Sequence, residues 1–205
     1  IQSADASDSP EEDAFRITAD EVRNIDSFCW TPDSRCILFV QDTLGDENWH
    51  LHRVEVAGVI RQSVDLTPFS GVRLMGLELS VAHPGKAFVQ MNYRSPELID
   101  LYEIDLKTGA LTMVAESPGR YVRWIIVPNG KLHALIINEG GDHELARYED
   151  GRFFPIAVFA GRDYPFGPMP VLPNPDGSGI IIGSNKDADH TYLSCVDLST
   201  GKETR

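Results

Sequence analysis

The chain has 205 residues, 42% of them hydrophobic and 24% charged, with 17 glycines, 13 prolines and 3 cysteines. Such proportions suit one large globular domain or two small ones, and they exclude a collagen, a wholly disordered chain and a disulfide-stapled miniprotein. A formal net charge of −13 offers no electropositive track, so neither nucleic acid nor an anionic membrane surface is expected as a partner.

Residues 1–26 hold Asp5, Asp8, Glu11, Glu12, Asp13, Asp20, Glu21 and Asp26 against Arg16 and Arg23. The opening QSADASDSPEED has no apolar periodicity and reads as an acidic, partly flexible N-terminal segment. Ala19 to Ile25 is the one helical candidate, with Thr18 as cap and Glu21 closing a capping box, although a loop suits the same residues.

From residue 27 the chain repeats itself. The segments HLHRVEVAG, DLYEIDLKTG, ELARYEDG and YLSCVDLSTG each join an apolar strand to a glycine turn. Their first leucines, Leu51, Leu101, Leu145 and Leu193, are spaced by 50, 44 and 48 residues. Their turn glycines, Gly58, Gly109, Gly151 and Gly201, are spaced by 51, 42 and 50. An earlier column agrees: Pro32-Asp33-Ser34, Pro84-Gly85, Pro128-Asn129-Gly130 and Pro175-Asp176-Gly177 precede the runs CILFVQ, KAFVQMN, LHALIIN and GIIIGSN. Proline fixes φ in such turns, while Asp, Asn and Gly supply local hydrogen bonds or positive φ. Short β-branched runs broken by Gly or Pro argue for strands rather than helices.

Four short strands per repeat, at this WD40-like period, predict an all-β fold, a β-propeller of four-stranded antiparallel blades. The approximate blades are 25–68, 69–116, 117–161 and 162–205, with a β-sandwich as the alternative. The last repeat stops soon after its Thr200-Gly201 turn, leaving little outer strand. An open arc exposes strand edges, so the chain is expected to be part of a larger propeller in a longer polypeptide. No run reaches the ~18 apolar residues of a spanning helix. Three thiols cannot all pair within the chain, which favours a reducing, cytoplasmic setting over a periplasmic one.

The stretches CWTPDSRCILFVQDTLGDENWHLHRV, VDLTPFSGVR, NYRSPELIDLYEIDLKTGAL and SNKDADHTYLSCVDLSTGKE carry a resemblance. Together they resemble the N-terminal propeller of bacterial serine peptidases of the prolyl oligopeptidase family. The likeness covers most of Phe28 to Glu203 and is strongest in the first two blades. Many propellers share the Trp30-x-Pro32-Asp33 turn and the Asp105 to Gly109 turn. Gly45-Asp46-Glu47-Asn48-Trp49 and Leu66-Thr67-Pro68-Phe69 are more particular to the acylaminoacyl-peptidase-like branch. In the third blade Glu149-Asp150-Gly151 departs from the usual Thr-Gly turn. The resemblance implies a non-catalytic cap that admits short peptides to a C-terminal α/β-hydrolase domain of the same polypeptide, with peptides as substrates and no cofactor. No Gly-x-Ser-x-Gly elbow is present, and Gly177-Ser178-Gly179 lacks its spacing, so no catalytic residue is expected in this chain. Two other functions fit a propeller: a stand-alone protein-binding module similar to TolB, and a small propeller glycosidase.

Side chains with chemical potential are few. His50 and His52 share a strand face but lack further ligands nearby, and His133, His143 and His190 fall in different blades, so no metal site is expected. The acidic stretches Asp42 to Glu47 and Asp187 to His190 read as solvated hairpin tips, because a calcium loop needs alternating oxygen ligands. Cys29 and Cys36 flank one turn and read as free thiols unless their geometry permits a bridge, while Cys195 reads as core. Trp49 and Trp124 are expected between blades. The loop Asn92-Tyr93-Arg94-Ser95-Pro96 is the candidate for substrate or interdomain contact. Its arginine fork either meets a carboxylate of a peptide or partner domain, or pairs with Glu97 or Asp100 in its own blade.

Overall fold

The computed structural model describes residues 16–18, 20, 22–57, 62–80, 83–119, 121–164 and 167–205. The acidic opening 1–15, Glu21 of the suggested capping box and the Gly58 turn lie outside them. Sixteen strands form four four-stranded antiparallel sheets. The first contains β1 (Ser27–Trp30), β2 (Cys36–Gln41), β3 (His50–Glu55) and β4 (Val64–Asp65). The second contains β5 (Leu74–Leu79), β6 (Lys86–Ser95), β7 (Leu98–Asp105) and β8 (Leu111–Ala115). The third contains β9 (Val122–Ile126), β10 (Leu132–Ile137), β11 (His143–Glu149) and β12 (Arg152–Phe159). The fourth contains β13 (Val171–Pro173), β14 (Gly179–Ser184), β15 (Tyr192–Asp197) and β16 (Glu203–Thr204). Each sheet runs in chain order from its first strand to its last. The expected all-β class with propeller-type blades is the fold found, and no helix occurs among the described residues.

Two turn chemistries set the repeat. In the first, the residue after proline caps the chain two positions on: Asp33 Oδ1 accepts from Arg35 N–H (3.2 Å), Asn129 Oδ1 from Lys131 N–H (3.0 Å) and Asp176 Oδ1 from Ser178 N–H (3.0 Å). These Asx turns reverse the chain between the first two strands of their sheets. In the second, Asp105 and Asp197 gather the loop that follows. Asp105 Oδ1 accepts from Lys107 N–H, Thr108 N–H and the Thr108 hydroxyl. Asp197 does the same for Ser199 and Thr200. These bonds hold the Asp197 carboxyl down at about 2, the Ser199 and Thr200 hydroxyls being the largest causes. Each loop closes on a glycine with positive φ, +74° at Gly109 and +70° at Gly201. At Gly201 a Cβ would also lie 2.1 Å from the Ile156 carbonyl oxygen, so that turn admits no side chain. The third sheet departs here, as its sequence does: Asp150 and Gly151, both at positive φ, make a two-residue hairpin between Glu149 and Arg152. That pattern belongs to a type I′ turn.

The chain divides into two compact units, Ile1–Tyr93 with Glu103–Thr112, and Arg94–Tyr102 with Met113–Arg205. In the first, Leu38, Leu51, Val54, Val89, Met91 and Ile104 are wholly buried. Ile37, Phe39 and Val54 form one cluster, against which Ile17 packs. The suggested helix at 19–25 is a loop over its described residues. There the Asp20 carboxylate, rather than a capping box, takes the N–H groups of Val22 and Arg23 (2.9 Å each) and the Arg23 side chain. In the second unit, Ile125, Leu135, Leu145 and Phe159 of the third sheet pack on Val171, Ile180, Ile182 and Val196 of the fourth. Trp124, 1% exposed, donates its indole N–H to the Ile99 carbonyl at 3.0 Å and lies against Tyr148 and Phe153.

Candidate functional site

The three residues singled out in the sequence follow one another along β6. In the first unit the Asn92 carboxamide oxygen accepts the Arg73 N–H at 2.6 Å. The Tyr93 ring packs on Phe69, centroids 4.4 Å apart, while the side chain stays 48% exposed. In the second unit Arg94 meets Asp100 through a two-atom fork, Nε to Oδ2 at 2.8 Å and Nη2 to Oδ1 at 2.9 Å. The pairing within the blade is therefore made, and with Asp100 rather than Glu97. The pair is lopsided in burial: Arg94 is 36% exposed at its side chain and Asp100 is not exposed at all.

Asp100, one of the two partners the sequence offered for Arg94, gathers more donors than the arginine alone. Its Oδ1 also accepts the Ser117 N–H at 2.7 Å and its Oδ2 the Tyr102 hydroxyl at 3.3 Å. A buried carboxylate needs such a set of donors, because an ion left without them costs several kcal/mol (roughly 3–5). The hydrogen bond and charge of Asp100 raise the Arg94 guanidinium further above its ordinary range. Burial, with Asp100 beside it, pushes the Tyr102 phenol up to about 12. The result is an arginine whose orientation is fixed from below and whose Nη1 makes no hydrogen bond among the described residues.

Other polar groups are engaged locally. His50 Nδ1 lies 2.8 Å from Asp65 Oδ2, and His52 stacks on Phe39 at 5.0 Å, its pKa lowered chiefly by burial. Between Asp42 and Glu47 the carboxylates take backbone N–H groups of their own loop: Asp46 those of Thr43 and Asn48, Asp42 that of Glu47. In the second unit a hydroxyl network joins Tyr164, Ser184, Ser194 and Glu203, the carboxylate accepting from Tyr164 and Ser194 at 2.6 Å each. Burial pushes Glu203 up, but these hydroxyls outweigh it and hold the carboxyl low. Partners 39 residues apart, as Tyr164 and Glu203 are, leave no local sequence signal. All three cysteines are free and half-buried, and burial raises the Cys29 and Cys36 thiols. Among the described residues no group of three or more His, Cys, Asp or Glu could hold a metal ion.

His133 carries a pH prediction. It is 3% exposed, directly opposite Arg147 on β11, and its Nδ1 has no partner among the described residues. Burial, helped by the Lys131 and Arg147 charges, lowers its pKa. The unfolded chain therefore binds a proton where the folded one resists, so this contribution is intact above about pH 6.5 and lost as pH falls below it. Urea unfolding at pH 7.5 and pH 5.5 should show the wild type losing stability. His133→Leu should lose less, the difference being at most about 1.4 kcal/mol per pH unit. Equal losses would show that His133 does not titrate on unfolding.

No family model matches the chain. In sequence it is 27% identical over 198 residues to dipeptidyl aminopeptidase BIII of Pseudoxanthomonas mexicana, a match covering 93% of the chain and 28% of that protein. The chain thus spans little more than a quarter of the relative. Among solved structures it resembles a puromycin hydrolase S511A mutant complexed with PGG, with TM-score 0.68, 16% identity, and coverage of 95% of this chain and 30% of that one. It also resembles TolB from Acinetobacter baumannii, with TM-score 0.62, 19% identity, and coverage of 89% and 43%. The structural likenesses establish the propeller fold. With the sequence match, they bear out the resemblance to the propeller segment of prolyl oligopeptidase-family peptidases.

Proposed function

We propose that this chain is the non-catalytic propeller portion of a prolyl oligopeptidase-like serine peptidase, and that it limits entry of substrates to an α/β-hydrolase domain of the same polypeptide. The observation that carries the reading is the match to a dipeptidyl aminopeptidase along nearly the whole chain but only 28% of that enzyme. What aligns here is a repeat of four-stranded sheets with no nucleophile elbow. In this reading the sheets act as a wall, and selectivity comes from size: a short peptide passes and a folded protein does not. Asn92, Tyr93 and Arg94 face the substrate or the hydrolase domain. Arg94, held by Asp100, offers Nη1 to a carboxylate, for which the planar guanidinium is well shaped.

The test places one cleavable bond in a short peptide, in a long unfolded chain and in a folded protein, each presented to the longer polypeptide. Size gating predicts that the short peptide is cut and both large substrates are spared. Cleavage of the unfolded chain at the rate of the short peptide would contradict it. A second reading, a TolB-like module that binds a protein partner, draws on the likeness to the Acinetobacter baumannii protein. It predicts no peptide cleavage by the longer polypeptide and saturable capture of one folded partner.

A further inference from the structure

Inside the second unit, β12 of the third sheet and β16 of the fourth border a recess of about 370 Å³, whose lining includes Asp163, Tyr164, Lys186 and Glu203. Behind Glu203 lies the hydroxyl network, with Tyr164, Ser184 and Ser194 buried. Glu203 takes one donor on each carboxylate oxygen, Ser194 on Oε1 and Tyr164 on Oε2. An ionised carboxylate offers about four lone-pair sites, so acceptor capacity remains on both oxygens. Lys186 brings the opposite charge. Its backbone is held on both sides: its N–H donates to the Ser184 hydroxyl at 3.3 Å, and its carbonyl accepts from the Tyr192 hydroxyl at 3.0 Å. The Lys186 ammonium has no ion pair among the described residues, and its charge helps to hold the Glu203 carboxyl low. In the connection that follows β12, Asp163 and Tyr164 both donate their N–H groups to the Ala160 carbonyl, at 2.9 and 3.0 Å. That turn fixes the second carboxylate of the recess. A lining of both signs favours a ligand that carries both, since a simple anion meets two carboxylates and a simple cation meets the lysine.

We infer that this recess is a binding site for a free α-amino acid with an apolar side chain, its ammonium held by Glu203 and Asp163 and its carboxylate by Lys186. Such a ligand carries its two charges on one carbon, which suits a site where Lys186 stands near enough to Glu203 for one charge to act on the other. Two hydroxyls already orient Glu203, so little ordering is left to oppose binding. Ala157, Val158 and Phe159 add an apolar wall for the ligand side chain. The volume falls at the small end of ligand pockets, which run from roughly 300 to 1,000 Å³. A ligand seated there touches the end of β12 and its turn on one side, and β16 with the loop after β14 on the other. It therefore ties the third sheet to the fourth and stabilises the folded chain by mass action. The inference does not depend on peptidase activity.

The experiment titrates the chain with L-leucine and three analogues, followed by calorimetry and by the thermal midpoint. N-acetyl-L-leucine lacks the ammonium, L-leucinamide lacks the carboxylate, and L-leucyl-L-leucine holds the two charges further apart. Leucine should bind and raise the midpoint by roughly 5 °C at about one hundred times its Kd. Each analogue should bind at least about tenfold more weakly, because a charge-assisted hydrogen bond is lost or displaced. Lys186→Gln changes an exposed side chain and leaves the hydroxyl network in place. It should weaken leucine about tenfold and leave leucinamide unchanged. Glu203→Gln should weaken leucine and leave N-acetyl-L-leucine unchanged. No binding of leucine, or leucine bound as well by Lys186→Gln as by the wild type, overturns the inference. Equal affinity for leucine and N-acetyl-L-leucine also overturns it, as does tighter binding of the dipeptide. Neither readout uses hydrolysis, so the result stands apart from the peptidase reading.

Discussion

Trp124→Ala should lower the unfolding free energy by about 3–5 kcal/mol, the range for removing a fully buried aromatic side chain. Trp124 is 1% exposed and central to an aromatic cluster, with the Tyr148 ring edge-on at 5.3 Å and the Phe153 ring stacked at 5.9 Å. Its indole N–H also ties the third sheet to the half-buried Ile99 carbonyl of β7, so truncation removes that acceptor's donor as well as leaving a cavity. Trp124→Phe keeps most of the volume and loses the hydrogen bond, and should cost about 1–3 kcal/mol. Urea unfolding followed by far-UV circular dichroism separates the two. Equal, small costs for both variants would show that the cluster does not support the sheet.

The Arg94–Asp100 pair should give the second large effect. Arg94→Ala leaves a wholly buried carboxylate with only the Ser117 N–H and the Tyr102 hydroxyl. Asp100→Ala removes the acceptor shared by the Ser117 N–H, the Tyr102 hydroxyl and the arginine fork. Asp100→Ala should cost about 2–4 kcal/mol, somewhat below the figure for a fully buried pair because water reaches the arginine side, and Arg94→Ala should destabilise in the same direction. The double variant should cost little more than either single one, the mark of a coupled pair. Arg94→Lys should recover only part of the loss, since an ammonium cannot span both carboxylate oxygens. Burial and Asp100 together hold the Tyr102 phenol up at about 12. In Asp100→Ala it should ionise at lower pH, visible as tyrosinate absorbance in a spectrophotometric titration. Additive costs and an unmoved phenol would mean that Asp100 does not organise this cluster.

These effects mark where the sequence could be read and where it could not. The Pro-Asp, Pro-Asn and Asp-x-x-Thr-Gly turns were legible because their hydrogen bonds close within a few residues, as from Asp197 to Thr200. The leucine column at Leu51, Leu101 and Leu145 was legible too, because these positions are wholly buried and a strand must be apolar at fixed register where it meets the core. Leu193 shares that spacing but not the burial, since pattern reports what a face is suited to, not whether a neighbour is there. The sequence marks Arg94 but does not choose its partner between Glu97 and Asp100. The structure pairs it with Asp100, which is wholly buried and also accepts from Ser117 and Tyr102, the first of which lies 17 residues away. Over the described residues of 19–25 a loop stands in place of a helix because Asp20 captures the N–H groups of Val22 and Arg23 at once, a local competition that favours turns over helices.

The most direct test of the account is to sequence the remainder of the reading frame that encodes this chain. If the chain is the propeller part of a prolyl oligopeptidase-like peptidase, the frame carries further repeats of the same strand-and-turn pattern, then a Gly-x-Ser-x-Gly elbow between a strand and a helix, with Asp and His following in chain order. A stop codon shortly after Arg205, or a continuation without a nucleophile elbow, would contradict it.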